Sequence, residues 1–236
     1  MNRLALIILR NIFRVPVYLP KLWYYAKHTD RYAYQEKWTL IHKIMGFAVR
    51  AGNIDLQVYG RENLPAEDGF ILYGNHQGMF DVLALAADYE RPLAAVLKKE
   101  LANVPLLKQI RECTHSFAMD REDVRQSLTV IKGVTEEVSK GRTFLIFPEG
   151  TRSKNGNAMG EFHGGSFKAA LKAKCPIVPL CFVDSFKVLD QKGSKPVSVQ
   201  MHYLKPIAYE EYKDLKTPEL AALVKGRIQE VLDANT

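Results

Sequence analysis

Two residues in the stretch Asn75-His76-Gln77-Gly78-Met79-Phe80-Asp81 have the types and spacing that proton-transfer chemistry requires. Imidazole changes protonation near neutral pH, and a carboxylate on one ring nitrogen fixes the tautomer and leaves the other nitrogen free as a base. His76 and Asp81 stand five positions apart. Inside one regular helix that offset would turn their side chains about 140° from each other. With His76 in a turn and Asp81 one turn inside the following helix, the carboxylate can fold back onto the ring. An apolar run, Gly69–Tyr73, precedes the stretch and an Ala/Leu-rich run, Val82–Ala87, follows it. The expected setting is a strand that hands over to a helix, where open α/β sheets hold ligands. The pair alone equally suits a histidine that caps a helix, with Asp81 as a polar neighbour.

A second constellation, Phe147-Pro148-Glu149-Gly150-Thr151-Arg152-Ser153, follows another apolar run, Thr143–Phe147. The planar fork of Arg152 suits a phosphate, because it can bind two oxygens at once. Gly150 permits backbone conformations that other residues resist and lets a ligand approach the main chain. Glu149 either accepts from a hydroxyl-bearing ligand or braces the arginine. Taken alone, this run also describes a structural Glu–Arg pair in a turn. The loop that follows, residues 154–165, is long and holds four glycines, as an adjustable wall beside a site would. Three cysteines, Cys113, Cys175 and Cys181, have an odd count and no metal-ligand spacing. They read as buried free thiols in a reducing compartment, and no metal site is expected.

The elements that must position these groups are legible from residue 51 onward, where strand-like and helix-like runs alternate as in an α/β domain. Strands are expected at 54–58, 70–73, 93–97, 115–119, 143–147, 176–182 and 197–203. Helices are expected after Asp81, at 101–111 with an irregular first turn because of Pro105, at 123–140 ending at Gly141, and at 219–232. A chain of 236 residues can bury a sizeable core.

The net charge of +7 lies wholly in the first 50 residues, which hold nine Lys/Arg against two acids, while residues 51–236 are balanced. That segment is also apolar and aromatic. Its longest aliphatic run, Leu4–Leu9, is far short of the ~20 residues that span a bilayer, and no small-residue cleavage site follows it. A helix is expected over Gln35–Arg50, with Trp38, Ile41, Ile44, Met45 and Ala48 on one face and Glu36, Lys37, Thr39 and Lys43 elsewhere. Basic, aromatic, amphipathic helices lie well in an anionic membrane interface, so residues 1–50 are expected to seat the chain on one, the alternative being a helical hairpin packed on the core with a solvated basic face. No nucleic-acid recognition motif appears, and nucleic acid is not an expected partner.

N-H-x-x-x-x-D after one strand and F-P-E-G-T-R-S after another some seventy residues later resemble the glycerolipid acyltransferase family, and within it the 1-acyl-sn-glycerol-3-phosphate acyltransferases. Lys98-Lys99-Glu100-Leu101 with Pro105, ending at Asp120-Arg121, looks like the family's second block, and Pro176–Leu180 like its fourth. The likeness runs from about residue 55 to 205. Two positions depart from it: Lys108-Gln109 replaces a Gly-Trp, and His163-Gly164 stands where a basic pair is usual. The first bears on the shape of the wall near Lys108, the second on the acyl-donor contacts.

The resemblance implies a mixed, mostly parallel α/β sheet covered by helices on both faces, with an N-terminal amphipathic helical segment (residues 1–50) before the acyltransferase domain (51–236). It implies transfer of a fatty acyl group from a thioester, acyl-CoA or acyl carrier protein, to the sn-2 hydroxyl of lysophosphatidic acid at the cytoplasmic face of a membrane. His76 is then the general base and Asp81 its orienter. Arg152, Arg121 and Lys98 hold the acceptor phosphate, while Glu149, Gly150 and Thr151 line the acceptor site. Backbone amides after His76 are expected to stabilise the oxyanion. No cofactor is implied beyond the co-substrate, and acyl carrier protein is a candidate partner. Rival readings are an acyltransferase for glycerol 3-phosphate or another lyso-lipid, a lipid hydrolase, and a non-enzymatic membrane-binding protein. Gly164-Gly165-Ser166 lacks the second glycine of a nucleophile elbow, which argues against the hydrolase.

Overall fold

The structure, a computed structural model, describes residues 2–236. Three helices open the chain: α1 (Arg3–Arg10), α2 (Val15–Lys27) and α3 (Tyr34–Ala51). Strands and helices then alternate: β1 (Ile54–Tyr59), β2 (Ile71–Gly74), α4 (Phe80–Asp88), β3 (Leu93–Lys98), α5 (Leu107–Thr114), β4 (Phe117–Met119), α6 (Val124–Ser139) and β5 (Thr143–Ile146). The remainder is α7 (Lys168–Ala173), β6 (Ile177–Val183), α8 (Phe186–Leu189), β7 (Val197–Tyr203), α9 (Tyr209–Tyr212) and α10 (Thr217–Asn235).

The seven strands form one sheet in the order β1-β7-β6-β2-β5-β3-β4. All neighbours are parallel except β6 and β7, so five strands run one way, and β7 with β1 runs the other. This is the mixed, mostly parallel sheet the sequence implies. Its central strands β2, β5 and β6 are buried along their whole length, as strands covered on both faces must be. Side-chain alternation divides them between two core layers. Ile71, Tyr73, Phe144 and Ile146 face α6, α7 and α10. Phe70, Leu72, Leu145 and Phe182 face the layer built by α2, α3, α4 and α5.

Local chemistry accounts for the boundaries. Asp123 caps α6, accepting from the amides of Arg125 and Gln126, and Gly141 at φ +88° lets the chain leave its far end. The helix expected over 101–111 is divided: Pro105 separates a 3-10 turn, Lys99–Leu101, from α5. Lys37, expected away from the apolar face of α3, is nonetheless buried. Its Nζ donates to Thr29 O at 2.8 Å and lies 3.2 Å from His115 Nε2. The short helices α7, α8 and α9 were not expected, since four to six residues show no helical period.

Among the described residues, no helix is long and apolar enough to cross a membrane. α1 and the turn after it leave Leu4, Ile8, Leu9, Ile12 and Phe13 exposed, Phe13 at 91%. Not all of the segment's positive charge is free. Arg3 is buried and donates to Gly52 O (2.7 Å), Lys195 O (2.8 Å) and Val188 O (2.9 Å), while Arg10 donates to Ala51 O at 3.0 Å. These cations fasten α1 to the α/β body.

Candidate active site

Five parallel strands end on the same edge of the sheet, and each is followed by a residue of chemical interest. His76 and Asp81 follow β2, Glu149 to Arg152 follow β5, Lys98 ends β3, Arg121 lies just past β4, and Asp184 to Asp190 follow β6. β2 lies between β5 and β6, so their three loops meet around His76. The site sits at the carboxyl edge of the sheet, as in open α/β folds generally.

Asn75 joins β2 to β6 just before the histidine. Its side chain accepts from Phe182 N (2.7 Å) and donates to Phe182 O (2.9 Å), continuing the ladder where the strand has ended. The chain then turns, and Asp81 in the first turn of α4 folds back as the spacing predicts. His76 Nδ1 lies 2.7 Å from Asp81 Oδ2. The same oxygen accepts from the amides of Gln77 (2.7 Å) and Gly78 (3.0 Å). Oδ1, the other oxygen, accepts from the Ser185 hydroxyl. Asp81 is therefore a fully buried carboxylate with both oxygens satisfied, which is what allows a charge to sit there.

With Nδ1–H committed to a carboxylate, the imidazole presents Nε2 as the acceptor, and among the described residues that nitrogen has no partner. The Phe147 ring lies on the imidazole face, with centroids 4.0 Å apart and planes 15° apart. His76 is thus fixed in tautomer and plane while its side chain stays partly exposed. The arrangement is a base held ready for a proton arriving from solvent or a ligand.

Glu149 is buried, and its two oxygens accept from His76 N (2.7 Å) and Gly160 N (2.6 Å). Burial pushes its carboxyl above the ordinary range, and the two amides pull it back. It pins the histidine turn to the 154–165 loop, so bracing of the arginine falls elsewhere: Asp190 Oδ1 lies 2.5 Å from Arg152 Nη1. Gly150 takes φ +69°, a conformation that favours glycine, and brings the chain alongside Arg121 and His163. Thr151 is exposed. Ser153 N donates to His76 O at 2.7 Å, tying the two signature loops together.

The remaining cations are less closely gathered. Arg121 lies beside Gly150, and among the described residues it makes no ion pair. Desolvation lowers its pKa while Glu100 raises it, and the guanidinium stays charged. Lys98 is exposed and lies 3.3 Å from Glu100. The amides expected to hold an oxyanion are largely in use: Gln77 N and Gly78 N serve Asp81, and Met79 N donates to Asp190 Oδ2 at 3.0 Å.

Several participants carried no signal of their own in the sequence. Ser185 donates through its amide to Gln77 Oε1 (3.0 Å) and through its hydroxyl to Asp81. Asn157 and Asp184 exchange two bonds of 2.9 Å, and Gln77 donates to Asn157 Oδ1 at 2.7 Å. Asp184, Ser185 and Asp190 lie over a hundred residues from His76, and only the strand order brings them to it. The one hint was their position directly after a buried strand.

An acyltransferase family model matches residues 55–183, more than half of the chain. The chain belongs to the acyltransferase family. This acyltransferase is 29% identical over 156 residues to the 1-acyl-sn-glycerol-3-phosphate acyltransferase of Helicobacter pylori, covering 66% of this chain and 65% of that protein, just under two thirds. It is 30% identical over 178 residues to the enzyme of that name from Salmonella typhimurium, covering 74% of this chain and 72% of that one. The crystal structure of the 1-acyl-sn-glycerophosphate (LPA) acyltransferase of Thermotoga maritima has the same fold. Its TM-score is 0.78 at 22% identity, and the match covers 98% of this chain and 95% of that one.

Proposed function

We propose that this acyltransferase moves a fatty acyl group from a thioester to the sn-2 hydroxyl of lysophosphatidic acid, giving phosphatidic acid. The observation that carries the reading is the 2.7 Å contact between His76 Nδ1 and Asp81 Oδ2, with Nε2 left open beside the arginine loop. An alcohol is barely ionised at neutral pH, so attack on a thioester needs a base that takes the proton as the bond forms. His76 Nε2 removes it, and the hydroxyl oxygen bonds to the thioester carbonyl carbon. The imidazolium that results is stabilised by Asp81. The tetrahedral intermediate collapses, the C–S bond breaks, and the thiolate takes the proton from Nε2. Arg152, with Arg121 and Lys98 further out, holds the acceptor phosphate and fixes the glycerol near the base. Residues 1–50 seat the protein on an anionic membrane surface at the cytoplasmic face, with the exposed apolar residues of α1 in the interface. The names of the relatives support the choice of acceptor.

The test is an acyl-transfer assay with the purified full chain and lysophosphatidic acid in vesicles, acyl-CoA and acyl carrier protein thioesters being offered separately. Phosphatidic acid is the expected product. Fatty acid released without an acceptor, or acylation of glycerol 3-phosphate in preference, would overturn the reading.

A further inference from the structure

Asp190 holds its carboxylate against the arginine that is assigned to the acceptor. One oxygen lies 2.5 Å from Arg152 Nη1 and the other accepts from the Met79 amide at 3.0 Å. A guanidinium N–H and a main-chain N–H on one anion, at the start of α4, are the donors a phosphate group would use. Gly78 makes the approach possible, because a Cβ there would collide with Asp190 Oδ2 and crowd Phe186. The carboxylate comes from the end of α8, which is not free to drift. The Val188 carbonyl is gripped by Arg3, and the Ser185 amide and hydroxyl are tied to Gln77 and Asp81. An acidic side chain is thus delivered, on a braced element, to the cation that the reading above assigns to an anionic lipid.

We propose that Asp190 is an internal competitor of the acceptor's phosphate for Arg152 and the Met79 amide, and that it thereby sets the affinity for the acceptor. This rests on the function proposed above. When the phosphate arrives, Arg152 and Met79 N–H transfer from one anion to the other, and the Asp190 carboxylate swings into solvent, to which it is already partly open. The competition keeps the guanidinium in place between turnovers. It also requires each acceptor to outbid a carboxylate. Exchanging one partly exposed pair for another involves modest energies, so the effect expected is a factor of about three to five.

The experiment compares the full-length wild type with Asp190→Asn, and with Asp190→Ser in case the amide finds a new partner. Inorganic phosphate is the first probe, read by thermal shift and by titration calorimetry. Either variant is expected to bind phosphate about three to five times more tightly than the wild type, and adding Arg152→Ala is expected to abolish the gain. In vesicles, KM for lysophosphatidic acid should fall by the same factor with kcat little changed. Phosphate binding that is unchanged or weaker in both variants would overturn the proposal, because Asp190 would then only hold Arg152 in position. The phosphate arm uses no acyl transfer. A wild type that fails to acylate lysophosphatidic acid, beside a variant that gains phosphate affinity, would therefore defeat the functional reading and leave the competition standing.

Discussion

The His76–Asp81 pair works because of what surrounds Asp81. A carboxylate that orients an imidazole must stay ionised while buried, and here four donors keep it so: the ring N–H, two amides and the Ser185 hydroxyl. His76→Ala is expected to lower kcat by about 100- to 10,000-fold with the fold intact, as a melting curve will check. Asp81→Asn should lose activity on a similar scale and also some stability, since an amide nitrogen would face donors. Ser185→Ala leaves one oxygen of a buried carboxylate without its donor and should cost about 1–3 kcal/mol of stability, measured by chemical denaturation.

At the scale of elements, the strands and long helices were legible because their signals are local. The strand ending at Tyr73–Gly74, the strand over Ile54–Val58 and the bounds of α6 all emerge within a residue or two of the positions their patterns imply, although Val124 and Leu128, apolar positions at the start of α6, are exposed. The missing parts depend on distant partners. Lys37 is buried because the loop at Thr29 and the end of α5 supply its acceptors, which no helical wheel reveals. His76, Asp81 and Arg152 could be read from motifs, whereas Ser185 and Asp190 could be found only through the β6–β2 pairing. That pairing is itself testable. Asn75→Ala strips Phe182 of two buried backbone bonds and should cost about 2–5 kcal/mol, measured by chemical denaturation. The Lys37–His115 contact predicts a pH dependence. Burial first, and then the neighbouring cations Lys37 and Arg142, hold His115 below its ordinary value, against a smaller opposing pull from Glu137. The unfolded chain therefore binds this proton more readily. The stability at stake is complete above the ordinary histidine value and is lost as pH falls through it toward the folded value. Asn tolerates the left-handed backbone found at His115, so His115→Asn should flatten the fall in Tm between about pH 7.5 and 5.5.

For the whole molecule, the division between what grips the body and what faces outward decides how the first fifty residues act. α2 and α3 carry Leu22, Trp38 and Ile41 into the core that also holds α4, so these helices are part of the support beneath His76. The outward apolar residues belong mainly to α1 and the turn after it. Leu9→Asp with Phe13→Asp should weaken co-sedimentation with vesicles of anionic lipid by about tenfold or more, and leave the melting temperature nearly unchanged. Equal sedimentation of the variant would remove the interfacial role given to this face. The grip of Arg3 has one more consequence, for biosynthesis. Two of its carbonyl partners lie 185 and 192 residues further along the chain. At about 5–20 residues per second, a ribosome takes roughly 10–40 s to deliver them. Throughout that interval the first helix has only its contacts with α3 and the turn after it to hold on to, and its greasy side is free to meet lipid before the enzyme exists.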